Sequence, residues 1–166
     1  MEEGIFRTYY QSPIGKICIQ GTEDAITSIS FSEGDAVLKP VSEGGLVKEC
    51  AEQLKAYFAG DLRIFSLQLE AQGTEFQESV WKSLFRIPFG ETRTYVQMAT
   101  VLGNPKVIRA AASANGANPI AIVIPCHRVL GSDGKLVGYS GGLWRKEWLL
   151  RHESNTAGTK KQLEIF

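Results

Sequence analysis

Cysteine and histidine are scarce in this chain, and their scarcity removes several function classes at once. The 166 residues hold three cysteines, Cys18, Cys50 and Cys126, and two histidines, His127 and His152. An odd number of widely separated thiols without a Cys-x-x-Cys pair argues against a disulfide framework and against a zinc ribbon. Two imidazoles do not complete a finger-like ligand set, so no structural metal is expected. No apolar run is long enough to span a bilayer, and no basic, apolar leader opens the chain. The expectation is a reduced, cytoplasmic protein able to bury one sizeable core or two small ones.

Net charge is also missing, but its absence hides an asymmetry. Residues 1–72 carry 6 Lys and Arg against 11 Asp and Glu, whereas residues 73–166 carry 12 against 7. The acidic and basic parts therefore face different partners. A modest basic excess is compatible with a polyanion such as DNA, and equally with an ordinary solvated surface.

In the acidic part, Gly4–Tyr10, Gly15–Gln20 and Ala25–Phe31 are short β-branched and aromatic runs separated by turn residues. They predict an antiparallel meander. Leu46, Val47, Cys50, Leu54, Tyr57 and Phe58 recur at helical spacing up to Gly60, and Ile64–Glu70 alternates as a further strand would. Cys18 and Cys50 fall on these apolar patterns and read as packing residues. Nothing here gathers chemistry, so residues 1–72 read as a supporting domain that ends near Ala71-Gln72-Gly73.

The basic part opens with helix punctuation. Thr74 with Gln77, and Thr94 with Gln97, are capping boxes ahead of apolar-periodic segments. Gly103-Asn104-Pro105 then makes a tight turn into a third helix reaching about Asn115, which predicts a helix-turn-helix. That third helix carries Lys106 and Arg109 followed by Ala110-Ala111-Ala112-Ser113-Ala114, a nearly smooth face. Two readings stand for it: close packing against neighbours, or close approach to a backbone or narrow groove. The two cations tilt the balance towards nucleic acid.

The stretch with the most chemistry is Ile124-Pro125-Cys126-His127-Arg128-Val129. It follows the apolar run Ile120–Ile124, which reads as a buried strand delivering a thiol and an imidazole into a loop. Taken alone, a Cys-His pair is more often a small buried hydrophobe beside a satisfied histidine. Downstream, Gly138-Tyr139-Ser140-Gly141-Gly142 is a glycine-flanked loop that lets backbone N–H groups and an aromatic ring approach a ligand. A last helix, Leu143–Glu153, ends on a carboxylate suited to orient His127.

These motifs, together with Glu147-Trp148-Leu149-Leu150, lie in the order and spacing of the O6-alkylguanine-DNA alkyltransferases, and the chain resembles that family closely over residues 73–166 and more loosely over residues 1–72. The resemblance implies an α+β protein. Residues 1–72 would form a small ribonuclease-H-like α/β domain, residues 73–154 a helical catalytic domain with a winged helix-turn-helix, and residues 155–166 a flexible tail.

The resemblance also implies roles for individual residues. Cys126 would accept the alkyl group irreversibly, activated through water by His127 and Glu153, with Tyr95 donating a proton to the base and Asn118 bracing the turn before the active site. Tyr139, Ser140, Gly141, Val129 and Asn115 would line the base pocket. Lys106, Arg109, Ala110, Ala111, Ser113, Ala114 and Arg128 would meet double-stranded DNA in the minor groove, Arg109 filling the space left by an extruded base. No cofactor is implied, and the zinc ligands of some relatives are missing. Asn115 stands where some relatives have an apolar residue.

Two other functions remain open on these residues: non-catalytic recognition of alkylated DNA, and hydrolysis by a Cys126-His127 pair. The chain is expected to be a monomer free in solution, and clustering on DNA stays open. Gln162-Leu163-Glu164-Ile165-Phe166 is similar to short peptides that dock on the bacterial sliding clamp, through Gln162, Leu163, Ile165 and Phe166.

Overall fold

A computed structural model describes residues 4–33 and 40–158. The chain divides into two compact units, residues 1–72 with Pro119–Ala121, and Gly73–Asn118 with Ile122–Phe166.

The first unit is built on a three-stranded antiparallel meander, β1 (Phe6–Ser12), β2 (Gly15–Gly21) and β3 (Ile26–Phe31), in the order β1-β2-β3. Alternation points Ile17 and Ile19 inward from the central strand, and a register shift at Gln20/Gly21, which pairs Ile29 with Ile19 but Ile26 with Gly21, brings both Ile26 and Ile29 to the same face, all fully or almost fully buried. The helix α1 (Val47–Phe58) closes that face with Val47, Cys50, Leu54, Tyr57 and Phe58, the residues whose spacing marks its apolar stripe. The expected strand over 64–70 does not form. Only Leu69 makes a single parallel bridge, to Ile26, because one pair of backbone bonds joins the segment to the sheet, Ile26 N to Gln68 O and Glu70 N to Ile26 O.

The second unit is mainly helical. Both capping boxes are present: Thr74 and Thr94 each accept from the backbone three residues on, while Gln77 and Gln97 reach back to the cap nitrogen. Each such cap is worth about 1 kcal/mol and fixes where its helix begins. They start α2 (Glu75–Phe85) and α3 (Tyr95–Val101), and the second fixes Tyr95 at the first turn of α3. Gly103, at φ +89°, turns the chain after α3 in a conformation that a side chain would oppose. Asn104 caps a short 3-10 turn, Pro105–Val107, which runs into α4 (Ile108–Gly116). A short parallel pair, β4 (Arg93–Thr94) with β5 (Val129–Leu130), lies just before α3 and just after the Cys-His segment. The last helix, α5, runs Leu143–Ala157 and stops at Gly158 in the left-handed conformation. It is one turn longer than its sequence pattern indicates. Ser154 is buried and helical, and the segment from 155 to 157 continues the helix where a tail is expected. The sliding-clamp peptide, Gln162 to Phe166, lies outside the described residues.

Residues 120–124 are not a strand. Ile120 makes one parallel bridge to Ile29 within the first unit, and Ala121–Val123 form a buried turn. Ile122 has φ +71°, the only positive φ outside glycine among the described residues. For a β-branched side chain that conformation costs about 1–3 kcal/mol and persists only where its surroundings impose it. Burial of Ile120, Ile122, Val123 and Ile124 supplies the compensation.

Candidate functional site

The buried turn delivers Cys126 to its place. Beyond Pro125 the chain enters a 3-10 turn, Cys126–Arg128, with Cys126 N on Ile124 O at 2.8 Å and Arg128 N on Pro125 O at 3.0 Å. Asn118, just past α4, donates its Nδ2 to Ile124 O at 2.8 Å and ties the turn to the end of that helix. Cys126, His127 and Arg128 are all buried.

Around the turn sits a cluster of charge that an ordinary core of this size would not tolerate. His127 Nε2 lies 2.7 Å from Glu153 Oε2, with both side chains fully buried. Arg128 grips the same carboxylate with Nε on Oε1 at 2.8 Å and Nη2 on Oε2 at 3.0 Å, and its Nη1 donates to Ile87 O at 2.7 Å. Burial pushes the Glu153 carboxyl up, but His127 and Arg128 outweigh it and hold the group well below the usual carboxylate range. Burial pushes the His127 imidazole down, more than Glu153 raises it. The pair is therefore a neutral imidazole against an ionised carboxylate. Its Nε2 carries the hydrogen given to Glu153, which leaves the lone pair on Nδ1, a buried atom with no hydrogen-bond partner among the described residues.

Burial also pushes the Cys126 thiol up, opposed by hydrogen bonding from Asn118 and by the charge of Lys146. At rest the sulfur is protonated. Lys146 on α5 is fully buried and donates to Val137 O at 2.7 Å and Gly138 O at 3.1 Å, and burial lowers its ammonium to about 8. It thus pins the start of the loop that follows. Within that loop Gly142 N bonds Tyr139 O at 2.9 Å, and the φ of +93° at Gly142 requires glycine where the loop enters α5. Arg145 is buried, with its Nη1 on Gly141 O at 2.9 Å. Ser140 is exposed and Gly141 buried, while burial pushes the Tyr139 hydroxyl well above its ordinary value. Sequence reasoning missed both Lys146 and Arg145. Their positions on a helix with charged neighbours carry no sign that they turn inward.

On the other side, Asn115 of α4 donates Nδ2 to Tyr95 Oη at 3.1 Å and to Cys126 O at 3.3 Å. Burial pushes the Tyr95 phenol up, and the Asn115 hydrogen bond pulls it partly back. Val129 is buried in β5, directly after the turn. Cys126, His127, Glu153, Tyr95, Asn115, Asn118, Lys146 and the Tyr139 loop therefore all belong to the second unit.

Three residues assigned to a DNA surface face inward instead. Arg128 is buried because the carboxylate that neutralises it, Glu153, is itself buried, so its guanidinium is not available to phosphate. Ala111 and Ala114 are buried on the inner face of α4, where Trp81 Nε1 bonds Ala114 O at 2.8 Å. Lys106, Arg109, Ala110 and Ser113 are exposed. The helix thus packs Ala111 and Ala114 inside, as the packing reading expects, and leaves a smooth outer face of Ala110 and Ser113 beside Arg109.

Residues 75–155 match the family described as 6-O-methylguanine DNA methyltransferase, DNA binding domain, and residues 5–71 match its ribonuclease-like domain. The chain belongs to the 6-O-methylguanine DNA methyltransferase family. A methylated-DNA–protein-cysteine methyltransferase of Methanosarcina acetivorans is 45% identical over 91% of this chain and 99% of its own. The Mycobacterium tuberculosis protein of that name is 44% identical over 88% of this chain and 90% of its own. Among solved structures, the M. tuberculosis O6-methylguanine methyltransferase superposes with a TM-score of 0.83 at 40% identity, covering 96% of this chain and 98% of that one. A structure of the M. tuberculosis protein in complex with DNA has a TM-score of 0.82 at 42% identity, covering 93% and 96%. The family's two-part architecture, a sheet domain followed by a helical DNA-binding domain, is the architecture of this chain.

Proposed function

We propose that this protein repairs DNA by moving the alkyl group of O6-alkylguanine, and of O4-alkylthymine, onto Cys126 in a single, irreversible event. The observation that carries the reading is the buried Cys126 thiol, adjacent in sequence to a neutral histidine whose Nε2 is committed to an ionised glutamate and whose Nδ1 can accept a proton.

The reaction balances as a displacement. The Cys126 proton passes to His127 Nδ1 through a bridging water, and the imidazolium that forms is held by Glu153. The sulfur forms a bond to the alkyl carbon as the carbon–oxygen bond breaks, and the electron pair leaves with the base. Tyr95 gives its phenolic hydrogen to a ring nitrogen of that base, and its phenolate recovers the proton first taken from the thiol. The net change is one proton moved from sulfur to guanine and one alkyl group moved the other way. The thioether has no leaving group that thiol reductants displace, so the chain acts once. A cysteine hydrolase would leave Tyr95 and the smooth face of α4 without a role, and a reactive cysteine has no use in a protein that merely binds.

DNA is met by the outer face of α4 and the turn before it, where Lys106 and Arg109 precede the exposed Ala110 and Ser113. A smooth cationic helix fits the minor groove, whose edges distinguish little beyond A·T from G·C, so sequence preference is weak and the lesion is selected in the pocket. The base must leave the stack, at a cost of a few kcal/mol that is smaller for a damaged pair, with Arg109 filling the gap. Free Cys18, Cys50 and Cys126 suit a reducing cytoplasm, and the protein acts as a monomer free in solution. The test is stoichiometry. With excess duplex carrying labelled O6-methylguanine, label transfer plateaus at one methyl per chain; continued turnover, or no transfer at all, refutes the reading.

A further inference from the structure

Asn115 lies between the two groups the reaction needs, and its orientation is fixed by chemistry. One terminal atom of its carboxamide stands 3.3 Å from Cys126 O and 3.1 Å from Tyr95 Oη. A backbone carbonyl only accepts hydrogen bonds, so the atom facing it is the NH2 group; the opposite orientation would set two oxygens against each other. With one N–H on Cys126 O, the other points at Tyr95 Oη. The phenolic oxygen is therefore an acceptor from Asn115, and the phenol's own hydrogen is directed elsewhere. Asn115 is 3% exposed, and its Oδ1 is buried with no hydrogen-bond partner among the described residues. The amide is thus held in a conformation that leaves one of its own polar atoms unsatisfied, a cost of the kind tolerated at functional sites rather than in ordinary cores.

We infer that Asn115 is a positioning residue for proton donation. By giving an N–H to the Tyr95 oxygen it aims the phenolic hydrogen at the incoming base and holds the phenolate left after that hydrogen departs. The inference rests on the transfer reaction proposed above and deepens it. When Tyr95 gives its proton to the ring nitrogen, the O–H bond breaks and its electron pair stays on Oη, already facing the Asn115 N–H. A hydrogen bond that strengthens as charge develops acts on the rate of reaction rather than on binding. The carbonyl of Cys126 has a second lone pair, which stays open to a donor on the incoming base while Asn115 remains in place. Asn115 also couples the two ends of the site, because the residue that orients the acid is anchored on the backbone of the nucleophile.

The test compares Asn115→Leu, which keeps much of the volume and removes both donors, in the wild-type and Tyr95→Phe backgrounds. Single-turnover transfer from O6-methylguanine DNA is expected to slow about ten- to a hundred-fold in Asn115→Leu, the loss typical of a hydrogen bond to a group that gains charge. In the Tyr95→Phe background the same substitution is expected to change the rate less than threefold, because the group it serves is gone. Equal losses in both backgrounds would mean that Asn115 merely supports the fold, and would overturn the inference. A second readout needs no reaction. The phenol of Tyr95, followed by ultraviolet difference against Tyr95→Phe, is expected to titrate at higher pH in Asn115→Leu than in the wild type. Should that variant fold poorly, isosteric Asn115→Asp, which does not donate when ionised, is expected to shift the titration the same way. An unchanged titration overturns the inference even if transfer proceeds, whereas a shifted titration without transfer overturns the proposed reaction and leaves the Asn115–Tyr95 contact standing.

Discussion

Cys50 and Cys126 are both buried, and burial raises both thiols, yet their surroundings differ. Cys50 lies on the apolar face of α1, where burial and the neighbouring Glu49 carboxylate push its thiol up to about 12. Burial raises the equally enclosed Cys126 thiol too, but there Asn118, Lys146 and a backbone N–H pull in the other direction. The contrast extends to the units that hold them. Among the described residues, the buried polar side chains of the first unit are hydroxyls, Ser12 donating to Gly15 O at 2.6 Å and Thr8 to Glu43 Oε1 at 3.0 Å. The second unit buries His127, Arg128, Arg145, Lys146 and Glu153. Burial alone silences a thiol; under the proposed reaction Cys126 owes its reactivity to the donors and the proton acceptor buried with it.

The largest expected effect is total. Cys126→Ala abolishes methyl transfer while DNA affinity, measured by fluorescence anisotropy, stays within a few-fold of wild type; residual transfer would mean that another thiol is the acceptor. Next comes the charge cluster. Glu153→Gln leaves Arg128 buried without its counter-charge and His127 without an anionic partner, which is expected to cost about 3–5 kcal/mol in urea unfolding. In conditions where that variant is folded, transfer falls roughly 10²- to 10⁴-fold, as for loss of general-base assistance. A loss of stability below about 1 kcal/mol would show the cluster to be solvated and the contrast between units overstated.

Acid should separate the two units further. The folded His127 has a lowered pKa, so below about pH 6.5 the unfolded chain takes up a proton that the native site refuses, and stability falls. The lowered Glu153 carboxyl contributes stability that is present above about pH 4 and lost as pH drops further. Thermal melts across this range are expected to decline in two stages, and His127→Gln should remove the first. Smaller still is Arg109→Ala, which weakens DNA binding and reduces its salt dependence by about one ion-equivalent without moving Tm. The smallest effect belongs to Cys50→Ala: a stability loss of about 1 kcal/mol and an unchanged transfer stoichiometry.

What the sequence made legible was what short-range chemistry decides. The capping boxes at Thr74 and Thr94, the meander and the apolar stripe of α1 each depend on neighbours a few residues away. The Cys-His turn, Glu153 on the last helix and Tyr95 at a helix start were readable as a constellation because a family resemblance ordered them. Ile120–Ile124 misled because a continuous apolar run records burial without recording whether the backbone is extended, and the positive φ of Ile122 leaves no compositional trace. Arg128 misled for a different reason. A cation beside a reactive pair suits a phosphate, and only the placement of Glu153, 25 residues along the chain, turns it inward. Lys146 was invisible on similar grounds, since its partners are the carbonyls of Val137 and Gly138 and carbonyls have no residue type.

Under the proposed reaction, one of two buried thiols is a reagent because of its surroundings. The most direct measurement is the mass of each cysteine-bearing peptide after incubation with duplex DNA containing O6-methylguanine. The peptide containing Cys126 should gain one methyl group in stoichiometric yield while those containing Cys18 and Cys50 keep their masses. A methyl on either of those peptides, or an unmodified Cys126 after the lesion has been repaired, would contradict the account.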